Sequence, residues 1–386
     1  MISMPTLRLC TQCVYPETKP GLTFNAQGVC SACSNFQDRT DTEWGARQKE
    51  LVQVLERYRA KPGHGYDCII PASGGKDSMV QVLKVLELGF HPLIVCVVPE
   101  QITEVGRRNL ETMKNFGVDT LEVTLNPRVQ RAVARITLRE LGDIMWHENY
   151  SIYTVPVTIA ARLGIKLLIW GENPAHEYGG PATVADGPAL SREWFMEMGG
   201  LHNRTLEDFV GQEGIRLEDT VLYRYPSDEE LARVGVTGLF LGYYYPWDGL
   251  QNFVIAQAHG FESHPVQVEG SLYGFEHIDS YLVGLHDYFK YLKFGFGRTS
   301  DVACNLIRRG RLTRAEGLKL VEEHDGKFPW TYLGRPLERI LGDLGLTVDE
   351  FVSICDQWTS RTAFEWIGDQ PVKDRNGRLK RINVTA

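Results

Sequence analysis

The stretch from Asp67 to Leu86, DCIIPASGGKDSMVQVLKVL, constrains the fold more than any other. An apolar run at Cys68, Ile69 and Ile70 meets the polar loop Ser73-Gly74-Gly75-Lys76-Asp77-Ser78. Beyond it, Met79, Val80, Leu83 and Leu86 recur at helical spacing. Strand, glycine loop and helix in that order open an α/β unit. The loop has the parts of a phosphate cradle. Two glycines let backbone N–H groups approach phosphate oxygens, and the helix N-terminus adds partial positive charge. Ser73 and Ser78 add hydroxyl donors, and Lys76 adds a cation. Asp77 alone opposes an anion, but it suits Mg²⁺ held between carboxylate and phosphate. The spacing is neither the Walker A pattern nor G-x-G-x-x-G. The plain alternative is a strand–helix turn with capping residues.

The rest of the chain repeats the alternation. Apolar segments at 66–70, 91–98, 119–125 and 165–170 read as strands, and 237–245 as a fifth. Helical patterns follow the loop and recur around 104–116, 127–141 and 150–163. This predicts an α/β fold with a doubly wound, mainly parallel sheet. Ligands of such sheets sit at the carboxyl ends of the strands. Both the 73–78 loop and the tip Gly171-Glu172-Asn173 fall there. Glu172 and Asn173 are therefore candidates to bind substrate or metal, against a simple turn before Pro174. The α/β domain is placed at 63–247, with an insertion near the site at about 174–236. The region 248–386 reads as mainly helical. Asp41-Thr42-Glu43 is read as the cap of a linker helix within 41–62, carrying Trp44, Leu51, Val52, Leu55 and Tyr58 on one side.

Four of the eight cysteines crowd into one segment as CTQC and CSAC, Cys10, Cys13, Cys30 and Cys33, with sixteen residues between the pairs. Each C-x-x-C offers two soft ligands from one tight turn, which suits tetrahedral Zn²⁺. A closed four-cysteine site is structural, so residues 1–40 are read as a zinc-ribbon-like knob. Cys68, Cys96, Cys304 and Cys355 are scattered and read as buried thiols. No apolar stretch is long enough to cross a membrane, and Met1 to Leu9 shows no signal pattern, so the expected location is the cytoplasm. The net charge of −8 argues against a nucleic-acid partner.

Ser73-Gly74-Gly75-Lys76-Asp77-Ser78 resembles the S-G-G-x-D-S signature of the PP-loop ATP pyrophosphatases (adenine nucleotide α-hydrolase-like). More narrowly, the stretches 10–33, 73–78, GENPAHEYGG at 171–180 and KFGFGRTSD at 293–301 resemble the N-acetyl sugar amidotransferases of that superfamily. The resemblance implies that the loop holds the β,γ-pyrophosphate of ATP while a substrate oxygen attacks the α-phosphate. The implied reaction turns the acetamido group of an N-acetylated sugar, free or nucleotide-linked, into an acetamidino group, in bacterial surface-polysaccharide or nonulosonate synthesis. ATP, Mg²⁺ and Zn²⁺ are the implied cofactors. A separate glutaminase subunit is expected to supply ammonia, since no cysteine here sits in a G-x-C-x-G elbow.

Other residues carry alternatives. Lys293 and Arg298 flank FGFG, where a flexible stretch would close cations over phosphates, or a solvated loop would do nothing. Asp301 suits Mg²⁺ or a helix cap. GYYYPWDG at 242–249 suits sugar stacking or strand packing into the core. RRGRLTR at 308–314 suits the phosphate of a nucleotide-sugar or a solvated helix start. His147, His176, His202 and His264 have no metal-like spacing. A second function class, tRNA thiolation, is carried by some PP-loop proteins with N-terminal zinc sites. It normally needs paired reactive cysteines in the catalytic domain, and Cys68 and Cys96 form no C-x-x-C.

Overall fold

A computed structural model describes residues 6–39, 42–173, 177–179, 201–375 and 377–385. Its centre is a five-stranded parallel sheet of β2 (Cys68–Pro71), β3 (Pro92–Val97), β4 (Thr120–Val123), β5 (Leu167–Trp170) and β6 (Thr237–Phe240). The spatial order is β4-β3-β2-β5-β6. The chain moves outward from β2 to β4, then returns to the other side of β2 to place β5 and β6. Side chains alternate between two buried layers. Cys68, Ile70, Ile94 and Cys96 enter one apolar cluster, while Ile69, Leu93, Val95 and Val97 enter the other. Both faces are covered, which is why β3 is apolar without a break.

Helices α3 (Lys76–Glu87) and α4 (Glu104–Lys114) contribute to the first layer, and α5 (Pro127–Leu141) and α6 (Trp146–Leu163) mainly to the second. Helix α6 starts four residues before the expected 150, because His147, Glu148 and Asn149 in its first turn mask the apolar period. Residues 201–236 belong to the second apolar layer through Leu201, Leu206, Phe209, Ile215 and Tyr223. This described part of the expected insertion lines the core and not the site. Of the remainder, 174–176, with His176, and 180–200 lie outside the described residues, while Glu177 and Tyr178 do reach the site.

The fifth strand ends at Phe240, and Leu241–Tyr244 forms a short helix instead of continuing it. The turn is fixed where Gly242 N–H donates to the Gly171 carbonyl at 2.9 Å. The expected cap of helix α2 (Trp44–Glu56) is not made: Glu43 occupies the cap position without a side-chain hydrogen bond, and Asp41 lies outside the described residues. Only Leu51 and Leu55 are fully buried on that helix, and Val52 is exposed.

The C-terminal region is mainly helical, with short hairpins at 331–336 and 366–371. The first apolar layer does not break at 247; it runs from Leu51 to Leu379. The two ends of the described chain meet, since β1 (Thr6–Arg8) pairs in parallel with Asn383–Thr385. The cysteine knob is packed against the C-terminal helices through Phe296, Ala303, Cys304 and Val321. No helix among the described residues is long and apolar enough to cross a membrane.

Candidate active site

The sheet reverses its order between β2 and β5, and the segments leaving their carboxyl ends line one cavity of about 580 Å³. The loop supplies Ser73, Gly75, Lys76, Asp77 and Ser78, and the tip after β5 supplies Glu172. Gly74 serves packing: its φ is +83°, and a Cβ there would stand 2.9 Å from the Leu110 nitrogen. Gly75 caps helix α3 without a side-chain bond, leaving the first-turn N–H groups available to an anion. The hydroxyls hold the loop: Ser73 Oγ accepts from Gly75 N–H at 3.3 Å, and Ser78 Oγ from Ser73 N–H at 3.1 Å. Each hydroxyl keeps its own proton to donate.

Lys76 is buried and doubly paired, 2.7 Å from Asp77 and 3.1 Å from Glu276. Glu276 also pairs with Arg298. Burial alone would push the Glu276 carboxyl up, but Lys76 and Arg298 hold it well below the usual range. Asn252, on the helix Gly249–Ala258, donates to the other Asp77 oxygen at 2.7 Å. The carboxyl of Glu172 is pushed up to about 8, first by burial and then by Asp77 and Glu177. It is therefore mostly protonated near neutral pH and able to donate.

Arg298 lines the cavity and is linked to the loop through Glu276, which pairs with both Arg298 and Lys76. FGFG is no flexible flap. Gly295, φ +74°, ends the helix Val283–Phe294, and the next helix, Arg298–Arg308, starts under Asp325. Asp325 accepts from Gly297 N–H at 2.8 Å and Thr299 N–H at 3.0 Å. Asp325, and not Asp301, is thus the cap. Asp301 sits inside the first turn and lines the cavity, accepting from Tyr15 Oη at 2.8 Å and Lys290 Nζ at 2.7 Å. Lys293 does not line the cavity. One turn beyond Lys290, it reaches the Leu141 carbonyl at 3.3 Å instead. Asn173 is buried beside the cavity without lining it.

The tyrosines of 242–249 do not line the cavity, whereas Trp247 does. The 308–314 run ends with a solvated helix start, exposed Thr313 capping the helix Arg314–His324, but its first arginines do more. Arg309 and Arg311 line the cavity tied to Asp248, and Arg308 donates to the Glu177 carbonyl at 2.6 Å. Of the described histidines, His147 is buried, with its imidazole pushed down to about 4 by burial; neither it, His202 nor His264 lines the cavity.

The four knob thiols are buried and lie within 4.8 Å of one another. Tetrahedral bonds of about 2.3 Å set sulfurs about 3.8 Å apart, and Cys13 and Cys30 Sγ are 3.7 Å apart. Cys10 Sγ accepts backbone N–H groups of Gln12, Cys13 and Cys30 at 3.3–3.4 Å, which favours a thiolate. The arrangement fits a single tetrahedral metal ion. The knob also shapes the cavity by carrying Lys19 into its lining and Tyr15 onto Asp301.

Several lining residues were missed in the sequence: Lys19, Glu276, His277, Asp287 and Lys290. Only Lys19 had a signal, as it lies inside the quoted 10–33 stretch. The others come from one part of the chain. Residues 269–374 match the family model described as LPS biosynthesis protein WbpG-like, C-terminal domain. That segment is similar to the WbpG-like C-terminal domain. It covers roughly a quarter of the chain and supplies Glu276 to Lys76 of the loop and Arg298 to Glu276. The WbpG-like segment and the parallel sheet with its 73–78 loop agree with the family resemblance drawn from the sequence. No curated protein matches the chain. Among solved structures, NMN synthetase from Francisella tularensis matches at 14% identity over 50% of this chain and 92% of its own, with a TM-score of 0.26. The U34-tRNA thiolase NcsA from Methanococcus maripaludis with its [4Fe-4S] cluster matches at 13% identity over 89% and 96%, with a TM-score of 0.27. Likenesses at this level add nothing to what the sheet order itself says.

Proposed function

We propose that the chain is an ATP-dependent amidotransferase that converts an acetamido group of an N-acetylated sugar into an acetamidino group. The observation that supports this reading is one cavity lined by both the PP-loop and the WbpG-like segment, joined through Lys76, Glu276 and Arg298. The loop holds the β,γ-pyrophosphate of ATP. The amide oxygen attacks the α-phosphate, giving an O-adenylyl imidate and pyrophosphate. Ammonia adds to the imidate carbon and AMP leaves. An amide oxygen is a poor leaving group, so adenylation is what makes the substitution feasible. The protein positions the reactants and neutralises phosphate charge.

The charge balance supports a role for Mg²⁺. Among the described residues, seven carboxylates besides the protonated Glu172, and six Lys or Arg side chains, line the cavity, so a polyanionic nucleotide needs accompanying positive charge. Asp77, with the phosphates themselves, would hold the ion. Asp77 and Asp301 are each engaged by a lysine and a neutral donor, and Asp77 is favoured because it sits in the loop itself. Glu172, protonated, offers an O–H donor to substrate. The knob takes Zn²⁺ as a structural ion.

The nitrogen source is a separate glutaminase subunit. All eight cysteines are buried, and burial pushes the thiols of Cys68 and Cys355 up, and that of Cys96 up to about 12. The same burial leaves tRNA thiolation without an accessible sulfur carrier among them. The reaction belongs to the cytoplasm, where ATP is available. The test incubates the chain with ATP, Mg²⁺, ammonium chloride and a panel of diacetamido sugars, free and nucleotide-linked. Mass spectrometry then looks for O replaced by NH, with AMP and pyrophosphate as co-products. ADP and phosphate as the main products would refute adenylation. Glutamine use by the lone chain would refute the separate subunit.

A further inference from the structure

Beside Glu276, the WbpG-like segment places His277 in the lining of the same cavity. We propose that His277, oriented by Asp287, is the base that takes the proton from ammonia as it adds to the activated substrate; this rests on the amidotransferase reading. The imidazole Nδ1 lies 2.9 Å from Asp287 Oδ2. Among the described residues nothing bonds to Nε2, and the half-buried ring borders the cavity. Asp287 is itself fixed, accepting from Lys290 Nζ at 2.9 Å. A carboxylate on one ring nitrogen sets the tautomer and leaves the other nitrogen as acceptor.

The backbone supplies an independent sign. His277 has φ +55°, a region that costs a non-glycine residue free energy. Of the five described non-glycine residues with positive φ, it is the one that lines this cavity. The conformation is held from outside. Tyr332 Oη donates to the His277 carbonyl at 2.7 Å, and the Tyr332 ring is seated where any side chain at Gly284 would collide with it. This strained turn carries Glu276 toward Lys76 and His277 onto the cavity in consecutive positions. Phosphate-gripping charge and proton acceptor are thereby set side by side.

The step balances. The ammonia nitrogen bonds to the imidate carbon, and one of its protons passes to His277 Nε2. The carbon–oxygen bond to AMP breaks, and its electron pair leaves on the AMP phosphate. His277 then releases the proton to solvent. A second histidine, His286, also lines the cavity, paired at 2.9 Å with Asp143, which does not line it. It lacks the strained backbone and is not adjacent in sequence to Glu276.

The experiment compares the full wild-type chain with His277→Asn, His277→Gly, Asp287→Asn and His286→Gln. Reactions contain ATP, Mg²⁺, ammonium chloride and the diacetamido sugar panel, and pyrophosphate release and amidine formation are read separately. Asn and Gly both tolerate a left-handed backbone, so the fold is spared while the imidazole goes. In His277→Asn, sugar-dependent pyrophosphate release is expected within about threefold of wild type. Amidine formation is expected to fall by about 10²–10⁴-fold, with partial rescue of His277→Gly by added imidazole. Nitrogen NMR of the ring is expected to show the proton on Nδ1, and Asp287→Asn is expected to redistribute it. Equal loss of both steps, loss of neither, or loss of amidine formation in His286→Gln but not in His277→Asn would overturn the assignment. If wild type releases no pyrophosphate with any sugar, the adenylation reading fails. The ring spectrum still decides the histidine, since a proton resting on Nε2 would leave no acceptor facing the cavity.

Discussion

Replacing Glu276 with Gln tests whether the loop and the WbpG-like segment are held together by charge. The side chain is 8% exposed and bridges Lys76 and Arg298. Gln keeps the shape but leaves two buried cations without their shared anion. Breaking a buried pair costs about 3–5 kcal/mol. Lys76 keeps Asp77 at 2.7 Å, and Arg298 keeps Asp301 at 4.0 Å, so the low end of that range applies. The expected loss is about 3 kcal/mol at pH 7. The pH dependence follows from the depressed carboxyl. Its contribution is fully present above the ordinary glutamate value of 4.5 and is lost as pH falls through its lowered folded value. The penalty of Glu276→Gln therefore shrinks by about 1.4 kcal/mol per pH unit below the ordinary value. Urea unfolding of both chains at pH 7, 4 and 3 measures this directly. A penalty under about 1 kcal/mol at pH 7 would mean that the bridge holds as little as an exposed pair. A penalty equal at pH 7 and pH 3 would mean that the charge is not its cause.

Three further outcomes are expected. Chain produced with zinc available carries about one equivalent of metal by elemental analysis, and Cys30→Ser lowers both metal content and melting temperature; unchanged metal in a four-cysteine variant refutes the site. Gly74→Ala destabilises by about 2 kcal/mol or more, because φ +83° and a 2.9 Å approach to Leu110 leave no room for a methyl group; denaturant titration reads the loss. Glu172 is pushed up to about 8, so the unfolded chain gives up this proton first and wild-type stability declines as pH rises from 4.5 to 8. Glu172→Gln removes that part of the decline, and parallel stability–pH curves for the two chains would refute the raised value.

Features made of neighbouring residues were legible without a structure. A phosphate cradle needs strand, glycines, cation and helix start in immediate succession, and a C-x-x-C pair closes within one turn. Residues 67–86 and 10–33 could therefore be read directly as a strand–loop–helix unit and a cluster of four thiols, and strand alternation disclosed the parallel sheet. Positions that depend on where one helical turn faces were not legible. Lys290 and Lys293 differ by three residues, yet one meets Asp287 and Asp301 in the cavity and the other meets Leu141 behind it. Tyr244 looked able to stack on a sugar, but the strand ends at Phe240 and the following helix turns that ring into the core. The partners of Lys76 and Asp77 were hidden for a simpler reason. Glu276 and Asn252 lie about two hundred residues away in sequence, and no local pattern marks them. Propensity and periodicity act over a few residues. The pairing of buried charges is decided only when distant segments share one desolvated space, where an unpaired ion is too costly to keep.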